Sequence, residues 1–433
     1  MPNFKITGGK KLSGSVNTFY SKNAVLPILC ASLMTKDKTI LHNVPKIEEV
    51  FRFEEILKSI GVKLEWSNKN TLTITPPKKI QIEKINYEAA AKTRSIIYLI
   101  GALIHEIKKF KLPVSGGCKL GKRSINPHIF ALENFGTKIS VEPKFYQISQ
   151  EKKPKASYFV MYESGDTTTN NAIMAAVLAE GKTTIKMASA NYMVQDLCFF
   201  LNKMGAKIKG IGATTLEIEG VKKLAGTEYG IMHDPIESMF WLSLAATTNS
   251  EIEIKYCPRD FIELELLKMK KMGFKYEQSE PYKEKNSNHV LVDIKTKKSK
   301  LVALADKIEC RPYPGLNMDN LPFFVPIAAS AKGRTLIHDW PYENRAIYFL
   351  EFQKLNCNII LLDPHRVIVE GPTKWQSSEI MCPPALRPAT SLVIAMLAAN
   401  GTSILRNTYQ IDRGYENLYE RLRNLGADIE EIK

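Results

Sequence analysis

Helical and strand periodicities succeed one another along this chain in a fixed order, and the order recurs. Each unit begins with a helix-like run of small apolar residues, as at 172–180, 327–331 and 392–400. A turn and a strand-like stretch follow, at 181–186, 333–338 and 401–406. A loop, a second helix and a further strand, such as the alternating 71–75, complete the unit. The step from second helix to strand carries a marker: LKSIGVKL, LENFGTKI, LNKMGAKI, MKKMGFKY, QKLNCNI and LRNLGADI. Gly61, Gly136, Gly205, Gly273, Asn356 and Gly426 stand at the turn, and glycine and asparagine tolerate the left-handed conformation that closes a helix. Six such units predict an α/β protein of two lobes, three units each, with sheets wrapped around buried helices.

Residue types that handle anions sit just before the first helix of each unit. They include Lys22-Asn23, Thr93-Arg94, Asp166-Thr167, Asp234, Asp319-Asn320 and Arg387. Free N–H groups and a partial positive charge make a helix start a natural anion site. Ordinary capping accounts for Asn23, Thr167 and Asn320. It does not account for Lys22, Arg94 and Arg387, because cations oppose the dipole at that end, and a bound anion would explain them better. A second set lies in the loops before the second helices: Cys118 and Arg123, then Glu343-Asn344-Arg345, then Asp412-Arg413-Gly414-Tyr415-Glu416. Two facing lobes would bring both sets to one cleft.

The Cys118 loop, VSGGCKLGKRSINPH, is the richest in chemistry. Gly116 and Gly117 let the backbone approach a ligand, and Lys119, Lys122 and Arg123 are cations of the kind that lower a thiol's pKa. The plainer reading of this stretch alone is a basic surface loop with a buried cysteine.

Composition narrows the choice. At 433 residues the chain exceeds the size of one core, so two domains are expected. Hydrophobic content of 44% is ordinary for a globular protein, no apolar run is long enough to span a bilayer, and a cytoplasmic location is expected. Seven cysteines with no CxxC pair argue against a disulfide framework and a zinc ribbon. The net charge of +15 favours anionic partners, but aromatic residues are not interleaved with the lysines, so nucleic acid is not expected.

Four stretches taken together resemble the enolpyruvyl transferases along nearly the whole chain. They are Ser21-Lys22-Asn23-Ala24 with Leu26-Pro27, Gly116-Gly117-Cys118 with Gly121, Arg123 and His128, Glu343-Asn344-Arg345, and Ile411-Asp412-Arg413-Gly414-Tyr415-Glu416. The resemblance implies a two-lobed inside-out α/β barrel, with lobes at 22–232 and at 1–21 plus 233–433. It implies transfer of an enolpyruvyl group from phosphoenolpyruvate to the 3-hydroxyl of a sugar nucleotide, UDP-N-acetylglucosamine, with no metal or other cofactor. Lys22, Arg123 and Arg413 would hold the donor's phosphate and carboxylate. Asn23 and Arg94 would line the sugar nucleotide and the reacting centre, with Arg345 also among the substrate-binding residues. Asp319 would take the hydroxyl proton and Arg387 would position acidic partners. Cys118 would be the general acid, or the covalent trap, and the target of fosfomycin.

Departures from the family pattern cluster on the acceptor side. They fall at Ala385, at 191–196, at Ser124-Ile125-Asn126-Pro127, at 162–166 and at Pro235. The same donor chemistry on a different nucleotide acceptor is therefore the second reading. A catalytically silent binding protein is a third, against which Lys22, Cys118, Arg123, Asp319 and Arg413 all stand.

Overall fold

The computed structural model describes residues 2–67, 70–114, 124–284 and 287–432. Each of the six units forms its own sheet, and the strand order is the same in five. The third unit shows the plan: Lys207–Lys209 pairs with Thr215–Glu219, which pairs antiparallel with Lys182–Lys186, which pairs parallel with Tyr158–Val160. The second unit's sheet has three strands and lacks the parallel member. All six marker residues have positive φ, from +68° at Asn356 to +102° at Gly205. The turn that the pattern required is therefore the one that forms.

Three strands leave their neighbours in sequence. Asn3–Gly8 lies between Gly401–Arg406 and Asp428–Ile432, so the first strand completes the last unit. Ser13–Asn17 supplies the parallel strand of the fourth unit, beside Glu251–Pro258. Glu228–Gly230 supplies that of the first unit, beside Thr39–His42. The two chain segments that make this exchange touch each other: Tyr20 bridges to His233, and the Ser21 amide donates to the Met232 carbonyl at 2.8 Å.

The first helices of the units form the interior. All 14 residues of Pro235–Thr248 are buried, as expected of a helix apolar on every side. Lys22–Ala31, Asp166–Ala176 and Leu386–Ala398 are buried over most of their length. Three differences from the sequence reading have local causes. Asp166–Ala176 starts well before the expected 172 because its polar residues face inward: Asn171 accepts from the Gly101 amide at 2.9 Å and donates to the Ile97 carbonyl at 3.0 Å. The first helix of the second unit is broken into Tyr87–Ala91, Arg94–Ile97 and Tyr98–Leu103. Ala346–Leu355 is a 3₁₀ rather than an α-helix.

Candidate active site

The starts of the buried helices deliver most of the expected residues to one place. Lys22 opens Lys22–Ala31, where Ser21, not Asn23, is the cap: its side chain accepts from the Ala24 amide at 3.3 Å. Asn23 instead donates to the Tyr192 hydroxyl at 3.0 Å. Thr167 lies inside its helix, and Asn320, at the N-cap position of Leu321–Phe323, makes no side-chain capping bond. Thr167 lies 3.4 Å from His128 Nε2, and Asn320 donates to Glu265 at 2.7 Å. The expectation that these three residues were spent on capping is therefore corrected. They point sideways because other residues or bare backbone cap those helices.

Asp319 is the common neighbour. Its Oδ1 lies 3.7 Å from Arg345 Nη1 and its Oδ2 lies 3.5 Å from Arg387 Nε. Arg387 is buried, donates to the Tyr415 hydroxyl at 3.0 Å, and keeps Nη2 without a protein partner. Burial works against its charge, but Tyr415, Asp319 and Asp234 outweigh that and raise its pKa. Arg345, expected to meet substrate, is 1% exposed and gives its donors mainly to Asp339 at 2.5 and 2.7 Å and to the Met318 carbonyl at 2.6 Å. That bonding steadies the segment that carries Asp319.

Lys22 stands among Glu49, Arg387, Arg413 and Asp319, and burial, the largest cause, lowers its pKa. Arg413 donates to Glu49 Oε2 from Nη2 at 2.9 Å and from Nε at 3.3 Å. Arg94 opens a single 3₁₀ turn and its charge reaches His128. Burial, helped by Arg94, pushes His128 down to about 3, and the Asn171 amide donates to its Nδ1 at 3.0 Å, so the ring stays neutral. Cys118 and Arg123 lie outside the described residues. The other six cysteines are buried and unpaired, and burial pushes each thiol up, Cys357 to about 11 and Cys257 to about 12.

Beside this cluster, a cavity of about 190 Å³ is lined by Asp166, Asn191, Asp260, Glu263, Glu265 and Arg311, among others. Asp166 accepts from Ser189 at 2.5 Å and from Asn191 at 3.0 Å, and burial still raises its pKa. Met318, next to Asp319, is among its lining residues. The sequence reading missed Glu49, Tyr192 and Glu265. Glu48 and Glu49 together look like ordinary first-turn acids, and nothing in a single sequence separates the buried one from its exposed neighbour.

A family model described as EPSP synthase (3-phosphoshikimate 1-carboxyvinyltransferase) matches residues 6–422. The chain is 36% identical to a UDP-N-acetylglucosamine 1-carboxyvinyltransferase of Treponema denticola, covering 99% of both chains. It is 35% identical to a protein of the same name from Borreliella burgdorferi over the full length of each. Among solved structures, the enolpyruvyl transferase NikO from Streptomyces tendae superposes with a TM-score of 0.85 at 20% identity, covering 100% of this chain and 99% of that one. An EPSP synthase from Acinetobacter baumannii gives 0.76 at 18% identity over all of both chains.

Proposed function

The chain belongs to the EPSP synthase family of enolpyruvyl transferases, and on that premise we propose that it transfers the enolpyruvyl group of phosphoenolpyruvate to UDP-N-acetylglucosamine. The transfer would form the ether at the 3-hydroxyl, release phosphate and commit the sugar nucleotide to peptidoglycan synthesis in the cytoplasm. The observation that carries the reading is the gathering of Asp319, Arg387 and Arg413 around Lys22 in a chain that matches transferases of that name along its whole length.

In this reading Lys22 and Arg413, with Arg123, hold the donor's phosphate and carboxylate. Asp319 takes the proton of the attacking hydroxyl, and Arg345 and Arg387 hold Asp319 in place. Cys118 protonates carbon three of the donor, which leaves carbon two open to the hydroxyl oxygen. Loss of phosphate and of a carbon-three proton then restores the double bond in the product. Asn23 and Arg94 lie along the acceptor. The two lobes are 22–232 and 1–21 plus 233–433, and the exchanged strands Ser13–Asn17 and Glu228–Gly230 support that division. A second reading, the same donor with another nucleotide acceptor, is favoured by the departures from the family pattern at Ala385, 191–196, 162–166 and Pro235. A panel of acceptors, with phosphate release as the signal, separates the two: UDP-N-acetylglucosamine should give the highest kcat/KM. A uridine monophosphate or shikimate phosphate that exceeded it would overturn the acceptor assignment.

A further inference from the structure

Glu49 is a buried carboxylate set against the cations of the donor cluster, and the transfer itself does not use it. It lies in the first turn of Glu48–Ser59, where an acid is ordinary, but its neighbour Glu48 already fills the ordinary role, partly exposed and 3.7 Å from Arg52. The Glu49 side chain is 4% exposed and its bonds all leave the helix. Oε1 accepts the Thr93 hydroxyl at 2.5 Å, and Oε2 accepts Arg413 from a turn 364 residues away. Thr93 is itself fully buried and caps the turn that carries Arg94, accepting from the Ser95 amide at 3.3 Å. One carboxylate thus bonds to the turn of Arg94 and the turn of Arg413, and its charge acts on Lys22 at a helix start.

A negative charge here opposes the binding of an anionic donor, so packing alone is a poor account of it. Its bonds are of the strong, charge-assisted kind that fix a guanidinium's plane. We propose that Glu49 is a positioning residue for the donor: it holds the Arg413 guanidinium in the orientation in which Arg413 and Lys22 share one anion. The inference rests on the donor assignment above. Electrostatics supports it from both ends. Burial alone would raise the Glu49 pKa, but Lys22, Arg413 and the Thr93 bond hold its carboxyl below the ordinary range. Around Lys22, burial, Arg387 and Arg413 disfavour the charged ammonium, whereas Glu49 and Asp319 favour it.

Glu49→Gln removes the charge and keeps the size. The variant should raise KM for phosphoenolpyruvate about tenfold or more, the scale of one charge-assisted hydrogen bond, while KM for UDP-N-acetylglucosamine stays within about twofold. The alkaline limb of its kcat/KM profile should move to lower pH, because Lys22 loses a group that favours its ammonium form. Glu49→Asp should recover part of both losses. Unchanged donor KM and an unmoved alkaline limb, or an equal rise in both KM values with a lower Tm, would overturn the proposal. Should Glu49→Gln fail to fold, Thr93→Val frees Oε1 and leaves the charge; it should show a smaller rise in donor KM, and no rise counts against the proposal. If the wild-type chain releases no phosphate, the donor reading has failed on its own. Calorimetric binding of phosphoenolpyruvate to wild type and Glu49→Gln then still reports on Glu49: equal affinities would overturn it.

Discussion

The cation cluster and the cavity beside it are built from the same structural device and carry different chemistry. On one side, helix starts and turns present Lys22, Arg387 and Arg413, with carboxylates bonded among them. On the other, the start of Asp166–Ala176 and the segment before Asp319 present Asp166 and Asn317 to a cavity that Glu263 and Glu265 also line. The dipole of a helix start favours an anion wherever it stands, so backbone geometry alone does not distinguish the sides. Side-chain identity does. The cationic side is suited to a small, highly charged donor, and the other is suited to hydroxyl groups that can donate to carboxylates.

The largest effect is expected where the sides meet. Asp319→Asn removes the proposed base while keeping its shape, and kcat should fall by roughly 10²–10⁴, the usual contribution of a positioned base. A kcat within a few-fold of wild type would take the base role from Asp319. Arg413→Ala comes next: it removes one donor contact and takes from Glu49 its guanidinium partner, a loss of roughly 2–5 kcal/mol in kcat/KM for the donor. Unchanged donor kinetics would show that the cationic side is not the donor's.

Asp234 sharpens the contrast through stability. It caps Pro235–Thr248, accepting from the Ile236 amide at 2.9 Å, yet burial, the largest cause, raises its pKa to about 6 despite the opposing effect of Arg387. The folded state therefore holds this proton more tightly than the unfolded chain does. Stability is lost as pH rises from about 4 to about 6, and the loss persists above that range. Asparagine can make the same cap without a charge. Asp234→Asn should match wild type near pH 4 and exceed it at pH 7 by up to roughly 3 kcal/mol, read from urea unfolding at both values. Equal stability at pH 7 would show that the carboxylate is not penalised there.

The smallest effect belongs to the acidic side. Asp166→Asn keeps a group able to accept from Ser189 and removes no hydrogen bond from the donor cluster. It should alter acceptor KM by a few-fold, about 1 kcal/mol for one hydrogen bond, and leave donor KM alone. A change in donor KM of the same size would mean that the two sides are not separable.

What the sequence made legible followed from backbone rules. The six marker turns need a left-handed residue, and only glycine or asparagine stands there. The strand Thr71–Thr75 agrees residue for residue with the alternation that predicts it, and strands fill the turn-and-strand stretches expected at Gly333–His338 and Gly401–Arg406. Lys22 and Arg387 stood out because a cation at a helix start is locally unfavourable. The strand exchange at Ser13–Asn17 and Glu228–Gly230 was not legible from periodicity, and only the family resemblance placed 1–21 with the second lobe, because the choice of a parallel partner depends on packing between units. Nor were Glu49, Glu265 and the buried asparagines of Asp166–Ala176: a polar residue in a helix looks solvated until its partner, 44 residues away for Glu49 and Thr93, is known.

The most direct test of the whole account is the product made from phosphoenolpyruvate and UDP-N-acetylglucosamine in deuterated water, identified by mass spectrometry alongside phosphate release. The account predicts one product, the sugar nucleotide carrying an enolpyruvyl ether, formed in step with phosphate and labelled with deuterium in its methylene because carbon three is protonated and then deprotonated. Phosphate released without that ether, or an ether whose methylene holds no deuterium, would contradict it.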